Sequence, residues 1–238
     1  RMSGRAIPWK KSDLTPSHGV YDETDDIRPS MGLEGAAALH RFVERGGLLL
    51  VEGNSSRLPI DLGFAGGVSL AQPEGLRVRG AILRAQQGAA SPILYGYDAQ
   101  RVFPVYFNQT PLLQVQTGGF GQGATPPEGT DPAIIAAQAR ARPRVILRFL
   151  NRADSLGVSG MLNNPEDLVG RPAVLDAPLG NGHVVMFAIR PLWRYQTQGT
   201  WALALNAIAN WNHLTDPCDG ARCAGSGRVT DANSTGQH

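Results

Sequence analysis

Gly32-Leu-Glu-Gly-Ala-Ala-Ala-Leu-His-Arg-Phe-Val-Glu-Arg-Gly-Gly-Leu-Leu-Leu-Val-Glu-Gly53 is the stretch whose reading decides the fold. Leu33, Ala36, Ala37, Leu39, His40 and Val43 fall at helical spacing and predict an amphipathic helix over 32–45. Ser30 is placed to cap it, with Glu34 in the first turn. Gly46-Gly47 ends it. Leu48–Val51 is then a continuous apolar run, as expected of a central strand of a parallel sheet. Far along the chain Leu179-Gly-Asn-Gly-His-Val-Val-Met-Phe-Ala-Ile-Arg-Pro191 presents the same two elements in reverse order, a buried strand and then a helix-like run to Leu214. The pair predicts an α/β protein with an open, mainly parallel sheet and helices on both faces. Strand 48–52 is expected at its centre.

Outward from this frame the elements are less regular. Residues 1–29 hold Pro8, Pro16, Pro29 and the acidic run Asp22–Asp26, lack periodicity, and read as an extended arm or loop. Residues 30–214 read as the α/β domain. Residues 76–86 and 101–117 predict strands of an antiparallel extension, and 118–143 an internal loop rich in glycine and proline. Strands are expected at Val145–Leu150 and Val158–Leu162. Pro172–Ala177 and His183–Ile189 predict a hairpin about the glycine-rich turn Leu179–Gly182. Thr200–Leu214 predicts a helix with Leu205, Ile208, Trp211 and Leu214 facing the sheet. Residues 215–238 carry few apolar side chains and read as a flexible tail.

Composition narrows the function classes. The 238 residues suffice for one substantial core, and a net charge of +2 points to no particular partner. Lys10 and Lys11 are the only lysines; Arg140, Arg142, Arg144 and Arg148 gather at one loop–strand junction, read as a solvated strand entry rather than an anion patch. No run reaches the ~18 apolar residues of a membrane span. Aromatic residues are 7% of the chain, without the basic–aromatic interleaving that nucleic-acid binding calls for. The chain starts at Arg1 rather than Met, which fits a fragment or a processed product. The two cysteines, Cys218 and Cys223, can close a small disulfide, remain free thiols, or supply half a metal site.

The candidate chemistry is sparse. Gly53-Asn-Ser-Ser-Arg57 follows the strand as a nucleophile elbow would, with Ser55 at the nucleophile position. Arg57 stands where the second elbow glycine belongs, and His183 has no evident acidic partner, so capping of the next helix is the favoured role. His40 and Glu44 share a helix face but lack the third ligand of a zinc site. Gly118–Gly123 lacks the Lys-Ser/Thr of a phosphate loop. Arg190, Trp193, Arg194, Tyr195 and Trp201 can form a stacking surface for a planar or sugar ligand, or pack around the last helix.

The runs Thr24–Gly35 and Leu39–Gly47, with Gly180-Asn-Gly-His-Val-Val-Met-Phe-Ala-Ile-Arg-Pro-Leu-Trp-Arg-Tyr-Gln-Thr-Gln-Gly-Thr-Trp201 and Asn206–Ile208, resemble a class I glutamine amidotransferase-like domain. More narrowly, they resemble the one C-terminal to the catalytic domain of large bacterial zinc carboxypeptidases of the carboxypeptidase A superfamily. The resemblance spans roughly residues 20–214. It implies a flavodoxin-like sheet whose opening strands are missing here. It also implies an accessory role beside the parent's carboxypeptidase domain, in a secreted or periplasmic setting. An active amidotransferase places Cys at the elbow; here the elbow holds Asn54 and Ser55, and no cysteine precedes Cys218. The resemblance thus implies no catalytic residue, cofactor or metal ligand in this chain. The zinc belongs to the separate catalytic domain. A small hydrolase using Ser55, or a stand-alone ligand- or carbohydrate-binding domain, are the alternatives.

Overall fold

The computed structural model describes residues 5–27, 31–97, 102–109, 111–116, 131 and 141–215. The chain divides into two compact units, Arg1–Arg41 and Phe42–His238, and the division falls inside helix α1 (Gly32–Glu44).

In the first unit, the segment read as an extended arm or loop carries local pairings of its own. The backbone groups of Trp9 and Thr24 exchange hydrogen bonds of 2.9 and 3.2 Å, and the Ile7 amide donates to Asp26 Oδ1 at 3.1 Å. The Trp9 and His18 rings stack at 3.9 Å, and Lys10 pairs with Asp25.

The second unit is built on one seven-stranded sheet. Its members are β1 (Leu48–Glu52), β4 (Ala81–Gln87), β5 (Val102–Phe107), β7 (Arg144–Phe149), β8 (Gly157–Ser159), β10 (Pro172–Leu179) and β11 (Gly182–Phe187). The path is β1-β11-β10-β7-β4-β5, with β8 pairing to β4 beside it. Two small ladders join β2 (Val68–Leu70) to β6 (Leu113–Val115) and β3 (Arg77–Val78) to β9 (Leu162–Asn163). The short helices are α2 (Arg57–Asp61) and α3 (Trp201–Ala209). The protein is therefore mixed α/β with few helices.

Two expectations about the sheet change. It is not mainly parallel: among the described strands only β1 and β11 run parallel, and every other pairing is antiparallel. β1 is not central but stands at one end of the path, with Leu48, Leu49 and Leu50 half-buried. An apolar run reports burial on both faces; it does not report whether one edge or both are hydrogen-bonded. The interior positions belong to β11, buried along its whole length, and to β10.

The β10–β11 hairpin forms where expected. Leu179 pairs with Gly182 across Gly180-Asn181, and Gly180 has φ 60°, the positive value a II′ turn takes at its first central position. The hairpin end docks on the end of α1: Asn181 N–H donates to Glu44 O at 2.9 Å and His183 N–H to Gly47 O at 3.1 Å. A Cβ at Gly182 would lie 2.0 Å from Val43 O and 2.3 Å from Gly47 O, so glycine is the residue that lets helix and strand approach this closely.

The sheet also curls. Just past β11, Arg190 N–H donates to Tyr106 O of β5, the strand at the far end of the path, at 3.0 Å. The core lies inside this curl, around Phe107, Phe149, Phe187, Leu83, Ile146 and Leu175.

Helix α3 forms, but with a different face inward. Leu203, Ala204 and Ala207 are buried, whereas Leu205, Ile208 and Trp211 are exposed; of the four residues expected inside, only Leu214 is. The segment is apolar nearly all round, so periodicity offers two faces. Asn206 decides between them: its Nδ2 donates to Ile93 O at 3.1 Å and Tyr95 O at 2.9 Å, fixing the helix on the 92–95 turn.

Candidate functional site

The parallel pair β1/β11 has two ends, and the polar side chains divide between them. At the carboxyl end, Glu52 leads into a 3₁₀ turn over Gly53–Ser56. Gly53 has φ 54°, as a sharp elbow requires, and Ser55 is exposed on it. Ser56 is fully buried, and its Oγ has no hydrogen-bond partner. Ser56, at the N-cap position of α2, makes no side-chain cap hydrogen bond, so this serine does not take the capping role expected of the Asn54–Ser56 turn.

Strand β11 delivers Arg190 to the same end. A Cβ on Gly53 would meet the Arg190 guanidinium at 3.5 Å, so the arginine lies against the elbow backbone. Its Cζ sits 4.7 Å from the Trp193 ring centroid, and Arg194 Cζ sits 5.2 Å from it. Trp193 also stacks on Tyr106 of β5 at 5.5 Å with an interplanar angle of 13°, a contact the curl of the sheet makes possible. Tyr195 meets Trp201 edge to face at 4.9 Å. The structure thus unites Arg190, Trp193 and Arg194 with the Ser55 turn and adds Tyr106, whose sequence position gave no signal.

The segment that carries these rings is strained and clamped. Arg194, Tyr195 and Thr197 all have positive φ, at 46°, 63° and 44°. Such values cost non-glycine residues free energy and persist only where surroundings hold them. The single hydroxyl proton of Thr200 is shared between Pro191 O at 2.8 Å and Thr197 O at 2.7 Å, and the Tyr97 hydroxyl donates to Gly199 O. Burial pushes the Tyr97 hydroxyl up to about 12, only partly offset by a backbone hydrogen bond.

The opposite end of the pair holds His183. It is register-paired with Leu48, while Glu52 is paired with Phe187. Four residues of strand separate the two ends by about 13 Å, so Ser55 and His183 do not form a nucleophile–base pair. His183 does have an acidic partner, contrary to expectation: Asp176 Oδ1 lies 2.8 Å from its Nδ1. Asp176 is fully buried, and its Oδ2 accepts from Arg144 Nη2 at 2.7 Å. Arg144 also reaches Leu214 O, so the arginine expected in a solvated strand entry turns inward and ties the segment after α3 to the sheet. The hairpin held the clue. His183 pairs with Pro178, so Asp176, two residues back, shares its face on the diagonal.

Gly118–Gly123, Arg140, Cys218 and Cys223 lie outside the described residues. Among the described residues no group of three His, Cys, Asp or Glu side chains is placed to hold a metal ion. Nor is any helix there long and apolar enough to cross a membrane.

No protein-family model and no curated protein matches the chain. Two solved structures are distantly similar. A cytoplasmic protein of Salmonella typhimurium is 15% identical at a TM-score of 0.37, over 74% of this chain and 59% of that one. The β-galactosidase of Bacillus circulans sp. alkalophilus is 12% identical at a TM-score of 0.35, over 76% of this chain and 20% of that one. Likenesses at this level carry no inference about fold or function.

Proposed function

We propose that this chain is a non-catalytic, amidotransferase-like module that works beside the catalytic domain of a bacterial zinc carboxypeptidase. The observation that carries the non-catalytic part is the division of the β1/β11 pair. The serine elbow is at one end, and the His183–Asp176 pair is buried about 13 Å away at the other. A serine nucleophile needs its base within hydrogen-bond reach, and the Ser55 hydrolase reading lacks that geometry.

The amidotransferase-like part rests on the resemblance of residues 24–47 and 180–208. The order helix α1, strand β1, elbow, and the parallel seat of β11 beside β1 are compatible with it. β1 further supports a role within a larger protein. It has the composition of a central strand, yet stands at a sheet edge without the lysines or prolines that blunt exposed edges. In this reading the catalytic zinc is held by the partner domain, no residue of this chain binds it, and the parent is secreted or periplasmic.

Metal analysis of chelator-washed protein, a peptide-trimming assay with added zinc, and labelling with a fluorophosphonate probe test the proposal together. The expected result is no stoichiometric zinc, no trimming and no adduct on Ser55. One tightly held zinc per chain with trimming activity, or a covalent adduct on Ser55, overturns it.

A further inference from the structure

We infer that the corner formed by Arg190, Trp193 and Arg194 is a binding site for a small organic carboxylate with a flat apolar body. Both guanidinium groups lie near the Trp193 ring, at 4.7 and 5.2 Å, and neither forms an ion pair among the described residues. This sets them apart from Arg57, Arg144 and Arg152, each of which has a carboxylate partner. A guanidinium stacked on an aromatic face keeps its N–H groups free at its edge, in the fork that matches a carboxylate. Two such forks beside one ring, Arg190 half-buried and Arg194 exposed, leave positive charge without a carboxylate partner. The adjacent carboxylate, Glu52, is exposed and unpaired with either arginine. The Tyr195–Trp201 pair supplies apolar surface nearby.

The backbone points the same way. Arg194 and Tyr195 are held at positive φ, and Thr200 and Tyr97 clamp the segment that carries them. Strain maintained by surrounding hydrogen bonds is the form that pre-organised binding loops take. The charge favours an anion, which a fork can take as carboxylate or phosphate; the aromatic surface beside the forks favours a carboxylate carried on a flat apolar body over inorganic phosphate. This inference goes beyond the accessory reading and does not depend on the identity of the parent protein.

The probes are benzoate, its uncharged analogue benzamide, and inorganic phosphate. Each is titrated into the full chain by calorimetry and by tryptophan fluorescence. Benzoate is expected to bind saturably, benzamide and phosphate more weakly. Arg194→Gln, at an exposed position, and Arg190→Gln are each expected to weaken benzoate about tenfold, the scale of one lost charge-assisted contact. Arg190→Lys restores the charge but not the fork and is expected to recover only part of the loss. Arg77→Gln, on the separate β3/β9 ladder, serves as control and leaves binding unchanged. Thermal melts establish that each variant is folded. Equal binding of benzoate and benzamide, tighter binding of phosphate, no saturable benzoate binding, or an Arg194→Gln variant that binds like the parent overturns the inference.

Discussion

His183 Nδ1 lies 2.8 Å from Asp176 Oδ1 across the β10–β11 hairpin, and the other oxygen of that carboxylate accepts from Arg144 at 2.7 Å. Asp176 is the hub: it is fully buried and joins β7, β10 and β11, while Arg144 carries the connection on to Leu214 O. Removing one partner of a buried charged pair leaves the other desolvated and unpaired. Asp176→Ala is expected to destabilise the protein by about 3–5 kcal/mol. Urea unfolding of Asp176→Ala, His183→Ala and the double variant checks this. The double variant is expected to lose less than the sum of the singles, because the two groups share one network.

Gly182→Ala is expected to be severe for a different reason. The added Cβ would meet two carbonyl oxygens, Val43 O and Gly47 O, at 2.0 and 2.3 Å, and neither belongs to a side chain that can rotate away. Overpacking ordinarily costs about 1–3 kcal/mol, and a clash with backbone on two sides is expected at or above the top of that range. A fall in melting temperature, with loss of amide protection in β1 and β11, is the measurement. Gly199→Ala, where nothing lies within 4 Å of the added atom, is the contrasting variant.

The orientation of α3 separates two leucines two residues apart. Leu203 is buried at 1% exposure and Leu205 is 58% exposed. Leu203→Ala is expected to cost about 2–5 kcal/mol, and Leu205→Ala to stay within about 0.5 kcal/mol. Equal losses measured by denaturant unfolding would reinstate the face that periodicity suggested.

Tyr97 makes stability fall at high pH. Its hydroxyl is pushed up to about 12 in the folded protein, first by burial, from an ordinary value of 10.0. A group whose folded value is raised favours the folded state while protonated. The contribution is complete below pH 10 and is lost as pH rises from there through 12. Ultraviolet titration is expected to show a late-ionising tyrosine that the Tyr97→Phe variant lacks. Tyr97→Phe is expected to remove part of the alkaline loss of stability, and an unchanged pH profile would refute the assignment.

Much of the local structure was legible in the sequence because local rules decide it. Helical spacing over 32–45, the Gly46-Gly47 stop, the apolar run at Leu48–Val51 and the Gly180-Asn181 turn each depend on a few neighbouring residues, and each is found. The site was legible only as ingredients: Arg190, Trp193 and Arg194 stood out as residue types at one place in the chain. What brought Tyr106 beneath Trp193 was the curl that carries β5 to the end of β11, and no local pattern encodes that approach. Tertiary structure also decided that β1 is an edge, because hydrogen bonding along a strand's edge leaves no mark on the hydrophobicity of its faces. It decided which way α3 faces, because a helix apolar on all sides is oriented by its one anchored polar residue, Asn206. And it gave His183 an acidic partner, Asp176. The diagonal of a two-residue hairpin brings Asp176 and His183 together, and the buried sheet makes that meeting energetically significant.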